Sequence, residues 1–263
     1  MGKSGRKSSG ADALLYGRHA VAAALANPER RWRRLVVLAG HEEEAAGLVA
    51  GARAMRRPHL GDRGEAAISV LDQSGFAAIL PRHAVHQGLA LEVEPLPEPD
   101  LEDVLRAGPA SGRCIIVVLD QLSDPQNIGA VMRSAAAFGA LAIVIPAHGA
   151  PPKTGALAKA ASGALESVPL VRVVNLARAL DRLKGAGFWV CGLDETAPQP
   201  LSQLDVGERV AIVLGSEGGG IRRLVRERCD FRARLPTRPA QPTLNVSNAA
   251  AVALYELTRS RDG

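Results

Sequence analysis

From residue 115 to residue 235 the chain alternates two kinds of segment. Short, almost unbroken aliphatic runs stand at 115–119 (IIVVL), 141–145 (LAIVI), 170–174, 188–193, 210–214 (VAIVL) and 231–235, and Ala-rich helical stretches lie between most of them. Strands that are apolar on both faces and separated by helices form a parallel sheet covered on both sides, an α/β architecture. Such sheets bind ligands beyond the carboxyl ends of their strands. The residues that follow each strand are therefore where chemistry is expected.

The part before this alternation reads as a smaller α/β unit over 12–94. Its period and breakers predict a helix over 14–26, a strand at 34–38, a helix over 42–55, and strands at 68–70 and 87–93. Pro95, Pro97 and Pro99 exclude both a helix interior and a central strand. They place a linker at 95–110, ahead of a second domain over 111–263. Residues 1–11 form a basic, polar tail expected to be disordered. No apolar stretch follows it, so it does not have the pattern of a signal peptide.

Three segments after strands carry polar groups. After 115–119 comes Ser123-Asp124-Pro125-Gln126-Asn127, turn chemistry in which Asn127 can cap a helix that holds Arg133. The neighbours Val131, Ala135, Ala136, Ala137 and Phe138 are expected to be buried. Arg133 is either a solvated arginine at the helix edge or a guanidinium aimed at a phosphate or a developing oxyanion. After 210–214 comes Gly215-Ser216-Glu217-Gly218-Gly219-Gly220, where glycine lets backbone approach a ligand closely. It is neither a Walker loop nor GxGxxG, and Glu217 would repel a phosphate. A pocket for a ribose, adenine or amino-acid ligand fits it, as does an ordinary strand-to-helix turn. After 231–235, Asn245, Ser247 and Asn248 crowd a helix start that needs one N-cap. All three segments fall on the same sheet edge, which points to one composite site.

Composition narrows the possibilities. The net charge of +5 favours a polyanionic partner, although many soluble proteins share it. Cys114, Cys191 and Cys229 are odd in number, with no CxxC, so neither a disulfide framework nor a zinc site follows and a reducing compartment is expected. His83 and His86 lack companions for a ligand set, and no metal is expected. No apolar run reaches membrane-spanning length. Two Trp, two Tyr and four Phe are too few for an aromatic base-stacking platform.

Taken together, Asn127-Ile128-Gly129 through Arg133, Val213 to Gly218 with Gly220-Ile221, and Leu244-Asn245-Val246-Ser247 resemble the three ordered motifs of the SpoU/TrmH family of RNA ribose 2′-O-methyltransferases in the SPOUT superfamily. The resemblance covers about 111–258. It continues upstream in Tyr16-Gly17-Arg18-His19-Ala20-Val21 and His86-Gln87-Gly88, which look like the N-terminal substrate-binding domain of the ribosomal members, and in Ala161 to Glu166. Asn248 stands where many relatives carry an aliphatic residue and Thr243 where serine is frequent.

The resemblance implies a mainly parallel α/β domain with a C-terminal trefoil knot, preceded by an L30e-like domain. It implies S-adenosylmethionine as cofactor and rRNA as partner, most closely a guanosine of large-subunit (23S) rRNA, with a homodimer formed through the knotted domain. Arg133, Asn127, Glu217, Asn245 and Ser247 become the catalytic set. Leu214, Gly215, Leu235 and Leu244 line the cofactor. Arg18, Arg30, Arg31, Arg33 and Arg34 are either an RNA footprint or a solvated basic face. A guanidinium is a poor general base, so Arg133 is expected to stabilise an alkoxide rather than take the proton, unless its affinity for protons is strongly depressed. The rival readings are a tRNA ribose methyltransferase, a non-catalytic RNA-binding or ribosome-assembly protein, and a nicotinamide-dependent oxidoreductase, which the missing GxGxxG disfavours. A cytoplasmic location is expected.

Overall fold

The computed structural model describes residues 14–55, 67–82, 84–151, 155–238 and 244–259. The tail at 1–11, His83 and residues 239–243 lie outside them. The chain divides into two compact units, Met1–Pro97 with Pro152–Ser167, and Glu98–Pro151 with Val168–Gly263.

The first unit runs β1 (Leu14–Tyr16), α1 (Arg18–Ala26), β2 (Trp32–Leu38), α2 (Glu42–Met55), β3 (Ala67–Leu71), α3 (Gln73–Ile79) and β4 (Leu89–Val93). The second opens with α4 (Leu101–Ala107), β5 (Cys114–Leu119), α5 (Pro125–Ala137) and β6 (Ala142–Pro146). Helix α6 (Gly155–Ala161) belongs to the first unit. The second resumes with β7 (Leu170–Val173), α7 (Leu176–Gly185), β8 (Trp189–Leu193), β9 (Arg209–Leu214), α8 (Arg223–Arg226), β10 (Phe231–Ala233) and α9 (Val246–Thr258).

The first unit's sheet has the order β1-β4-β2-β3, with β4 antiparallel to both neighbours and β3 parallel to β2. Leu14, Tyr16, Val36 and Ala90 on one face pack against Phe76 and Leu80. The helix expected over 14–26 is instead strand β1 followed by α1. Gly17, at φ 89, breaks the segment in a conformation that glycine adopts without steric cost. Residues 14–16 then gain ladder bonds from β4, which overrides their helical preference. Within the same unit Glu166, just past α6, holds Arg30. Their side chains are 6% and 4% exposed and approach to 2.5 Å, and Asn27 Nδ2 donates to the same carboxylate at 2.8 Å.

The second unit's six strands are all parallel, in the order β10-β8-β9-β5-β6-β7. Ile116, Val118, Val144, Val190, Ala211 and Val213 on one face pack against Leu176, Leu180 and Leu183 of α7 and Val225 of α8. Helices α5 and α9 pack on each other, α5 against β6 and α9 against β9. The stretch expected as a linker contains helix α4. Asp100 starts it by accepting from the Asp103 amide at 2.7 Å, directly after the last of the three prolines. Cys114 and Cys191 are buried, and burial, then the neighbouring Cys229, pushes the Cys191 thiol up to about 12. Among the described residues no helix is long and apolar enough to cross a membrane.

Candidate active site

The strand order itself locates the site. The chain leaves β5 toward β6 on one side of the sheet and leaves β9 toward β10 on the other, although β5 and β9 are hydrogen-bonded neighbours. Two adjacent parallel strands whose connections diverge leave a crevice at their carboxyl ends. Residues 120–127 leave β5 there, and residues 215–222 leave β9 there.

Asp120 continues β5 by donating its amide to the Leu214 carbonyl at 2.8 Å. Its carboxylate is fully buried and takes three contacts from Arg222. The backbone N–H donates at 2.8 Å, Nε at 2.8 Å, and the second guanidinium nitrogen lies at 2.6 Å. This pins the far end of the 215–222 loop to β5. The near end is fixed sterically, because a Cβ on Gly215 would fall 2.0 Å from the Gly220 carbonyl carbon. Only glycine permits that approach. The Gly220 amide donates to the Ser216 carbonyl at 2.8 Å and closes the loop.

The loop projects Glu217 toward the start of α9. Asn245 Nδ2 donates to Glu217 Oε1 at 2.5 Å and to Asn127 Oδ1 at 3.1 Å. Asn245 Oδ1 caps α9 by accepting from the Ser247 amide at 2.9 Å and the Ser247 hydroxyl at 2.5 Å. Four residues from three segments therefore form one network. Asn127 does not cap α5 as expected. Asp124 does, accepting from the amides of Gln126 and Asn127 at 3.0 and 3.2 Å, with Pro125 in the first helical position. The side chain of Asn127 is thereby released to face Asn245.

Arg133 is exposed, and no ion pair or hydrogen bond engages it among the described residues. Six residues along a helix place it about 9 Å from Asn127 along the axis and on a different face. Its surroundings are wetter than expected. Val131 and Ala135 are buried, Ala136 and Phe138 are half-buried, and Ala137 is exposed.

A cavity of about 670 Å³ adjoins the network, within the usual range for small-molecule sites. Leu214, Gly215, Leu235 and Leu244 all line it, together with Gly218 to Ile221. Sequence reasoning missed the contribution of β8, whose carboxyl end supplies Asp194, Glu195 and Thr196 to the wall, and the contribution of Arg226. The strand-end rule applied to 188–193 finds the first three. Burial raises the affinity of Asp194 for its proton, but hydrogen bonds from the Thr196 hydroxyl and amide, with Arg232 and Arg226 nearby, outweigh it and hold the carboxyl below the usual range. The wall thus offers backbone amides and carbonyls, aliphatic side chains, and carboxylates suited to hydroxyls and cations. This donor set fits a nucleoside that carries positive charge better than it fits a phosphate.

The arginines of the first unit are distributed differently from expectation. Arg30 is buried against Glu166 and is not free to attract RNA. Arg34 pairs with Glu92 at 2.5 Å, Arg33 with Glu94 at 3.5 Å, and Arg18 with Glu44 at 2.6 Å. Arg31 is exposed. Counting basic residues found the charge but not its partners, the nearest of which in space stand up to 136 positions away in sequence.

Comparison with known proteins adds an independent line. Residues 114–255 match the SpoU rRNA Methylase family. The chain is 36% identical to the 23S rRNA (guanosine-2′-O-)-methyltransferase RlmB of Vibrio vulnificus, over 94% of this chain and 97% of that protein. It is 36% identical to an uncharacterized tRNA/rRNA methyltransferase of Synechocystis over 94% of this chain, but spans only 62% of that longer protein. Its fold is similar to the crystal structure of the SpoU methyltransferase AviRb from Streptomyces viridochromogenes in complex with AdoMet. There the TM-score is 0.74 at 23% identity, covering 94% of this chain and 89% of that one.

Proposed function

The chain belongs to the SpoU rRNA methylase family, and from that premise we propose that it transfers a methyl group from S-adenosylmethionine to a ribose 2′-hydroxyl of RNA, at a guanosine of large-subunit (23S) rRNA. The observation that carries this reading is the glycine-lined cavity at the β5/β9 switch point, opening beside the Asn127–Asn245–Glu217–Ser247 network. Residues 215–221, Leu235 and Leu244 would hold the cofactor, with Asp194 and Glu195 near its polar groups. When bound, it supplies an already activated sulfonium methyl.

The protein's own task is then to place the 2′-oxygen in line with that methyl and to manage its proton. Glu217, Asn127 and Ser247 use both donors and both lone pairs of the Asn245 amide, so the network holds the unused polar atoms of Glu217 and Asn127 in place before substrate arrives. The residue proposed to face the 2′-oxygen is Arg133, about 9 Å further along α5 than Asn127. Arg133 stabilises the alkoxide that develops as the hydroxyl proton leaves. We further infer that the chain works as a cytoplasmic homodimer, with α9 contributing the exposed Val252 and Tyr255 to the interface, and that its C-terminal segment is threaded as a trefoil knot. Helix α9 follows the edge strand β10 yet packs over the central strand β9, a return consistent with such threading.

The test is transfer of labelled methyl from S-adenosylmethionine to rRNA and to tRNA, with the product mapped. Wild type should methylate a ribose 2′-oxygen in rRNA, and Arg133→Ala should lose about 10²–10³-fold in rate. Transfer to tRNA alone would overturn the substrate, and transfer to neither would overturn the enzyme reading.

A further inference from the structure

Within the first unit, four cationic or protonatable side chains from separate elements converge on one turn. Gln87, which precedes β4, adopts φ 53, a left-handed conformation uncommon for a residue with a side chain. Its Oε1 accepts from Lys159 Nζ of α6 at 3.0 Å and from the backbone amide of Arg18, the first residue of α1, at 3.2 Å. The next residue, Gly88, lies so close under the His41 ring that a Cβ there would meet ring atoms at 2.5–2.7 Å. The Gly88 amide donates to His86 Nδ1 at 3.1 Å, and the His86 ring packs on Phe76 with centroids 4.7 Å apart. The stem of Lys159 runs over Gly17, where a Cβ would stand 3.0 Å from its Cδ.

Arg18, His41, His86 and Lys159 thus share one neighbourhood, and among the described residues the carboxylate that pairs with them is Glu44, 2.6 Å from Arg18 and 3.5 Å from His41. Burial pushes the Lys159 ammonium below its usual range, and burial followed by the charges of His41 and Lys159 pushes His86 down. Holding like charges together and partly out of water is costly unless an anion joins them. Strained backbone at the centre, in Gln87, is a further mark of a functional position.

We propose that this cluster is a phosphodiester site that grips the backbone of the RNA substrate, with Lys159, Arg18, His41 and His86 supplying the charge and Gln87 holding Lys159 in place. Arg18 is 55% and His41 39% exposed, so the groups face a polymer passing over the surface rather than a ligand sealed inside. The site would add to the exposed Arg31 in attracting RNA, since Arg30, Arg33 and Arg34 each face a carboxylate partner. The proposal rests on the reading that the chain acts on RNA.

The experiment is fluorescence anisotropy of a labelled 23S rRNA fragment binding the full-length protein, for wild type, Lys159→Met and Lys159→Gln. The two variants keep the length or the polarity of the side chain and lose only its charge. Both should weaken RNA binding by about tenfold and flatten the slope of log Kd against log salt by roughly one contact. S-adenosylmethionine binding by calorimetry should be unchanged, which also shows that the variants are folded. Wild-type binding should tighten as pH falls below the ordinary imidazole range, where His86 gains its proton beside Arg18, His41, Lys159 and Glu44. Unchanged Kd and salt slope in folded variants would overturn the proposal. So would uptake of inorganic phosphate with no change in RNA affinity, which would make this a site for free phosphate. Failure of wild type to methylate any RNA would instead overturn the proposed function, and the two failures are read from different assays.

Discussion

Asp120 shows how one side chain can decide the shape of a site it does not enter. It has no exposure, and it holds both the backbone and the guanidinium of Arg222, so it fixes where the glycine loop ends and where Glu217 stands. Asp120→Asn keeps the volume and removes the charge. The Arg222 side chain is half in water and re-solvates, so the expected loss is about 1.5–3 kcal/mol, less than for a pair buried at both ends. Chemical denaturation checks this, and S-adenosylmethionine affinity should fall with it. At this scale the sequence was legible where a residue's chemistry is local. Leu214, Gly215, Leu235 and Leu244 follow strands and do line one cavity. It was illegible where the partner is remote. Nothing in the run Arg30 to Arg34 tells Arg30, sealed by Glu166, from Arg31, which stays in solvent.

Among elements, the strands of the second unit stand out in the sequence because burial on both faces leaves mostly aliphatic residues in the central ones. All six sequence-predicted strands occur, with ends moved by one or two residues. Short, half-buried elements are less visible. Strand β1 has three residues and depends on β4, some seventy positions later, and so Leu14 to Tyr16 read as the start of a helix. The beginning of α5 shows why a capping residue matters for chemistry as well as stability. Asp124 takes the cap and frees the Asn127 side chain for Asn245. Asp124→Ala should cost about 1 kcal/mol by thermal or urea unfolding. It should also slow methyl transfer while leaving the KM for S-adenosylmethionine nearly unchanged, because Asn127 lies outside the cavity wall. Equal loss in both parameters would mean that α5 supports the cofactor directly.

For the molecule as a whole, the exposed apolar residues of α9 bear on assembly. Val252 and Tyr255 are 46% and 57% exposed one helical turn apart, and the Tyr255 ring meets Phe138 edge-on at 6.3 Å. On the proposed homodimer, Tyr255→Asp is expected to shift sedimentation from dimer to monomer without lowering the helix content read by circular dichroism. A variant that stays dimeric would remove α9 from the interface. A second global feature is that the first unit is discontinuous, closing only when residues 152–167 join residues 1–97. Ribosomes deliver a chain in order, at roughly 5–20 residues per second. The early strands emerge before Glu166 has been made and must wait until all of residues 98–151 have followed them. The unit that begins synthesis first therefore cannot finish folding first. A nascent chain arrested at residue 97 lacks the carboxylate that closes over Arg30 in a place built to be dry, and during that interval it is a natural client for chaperones.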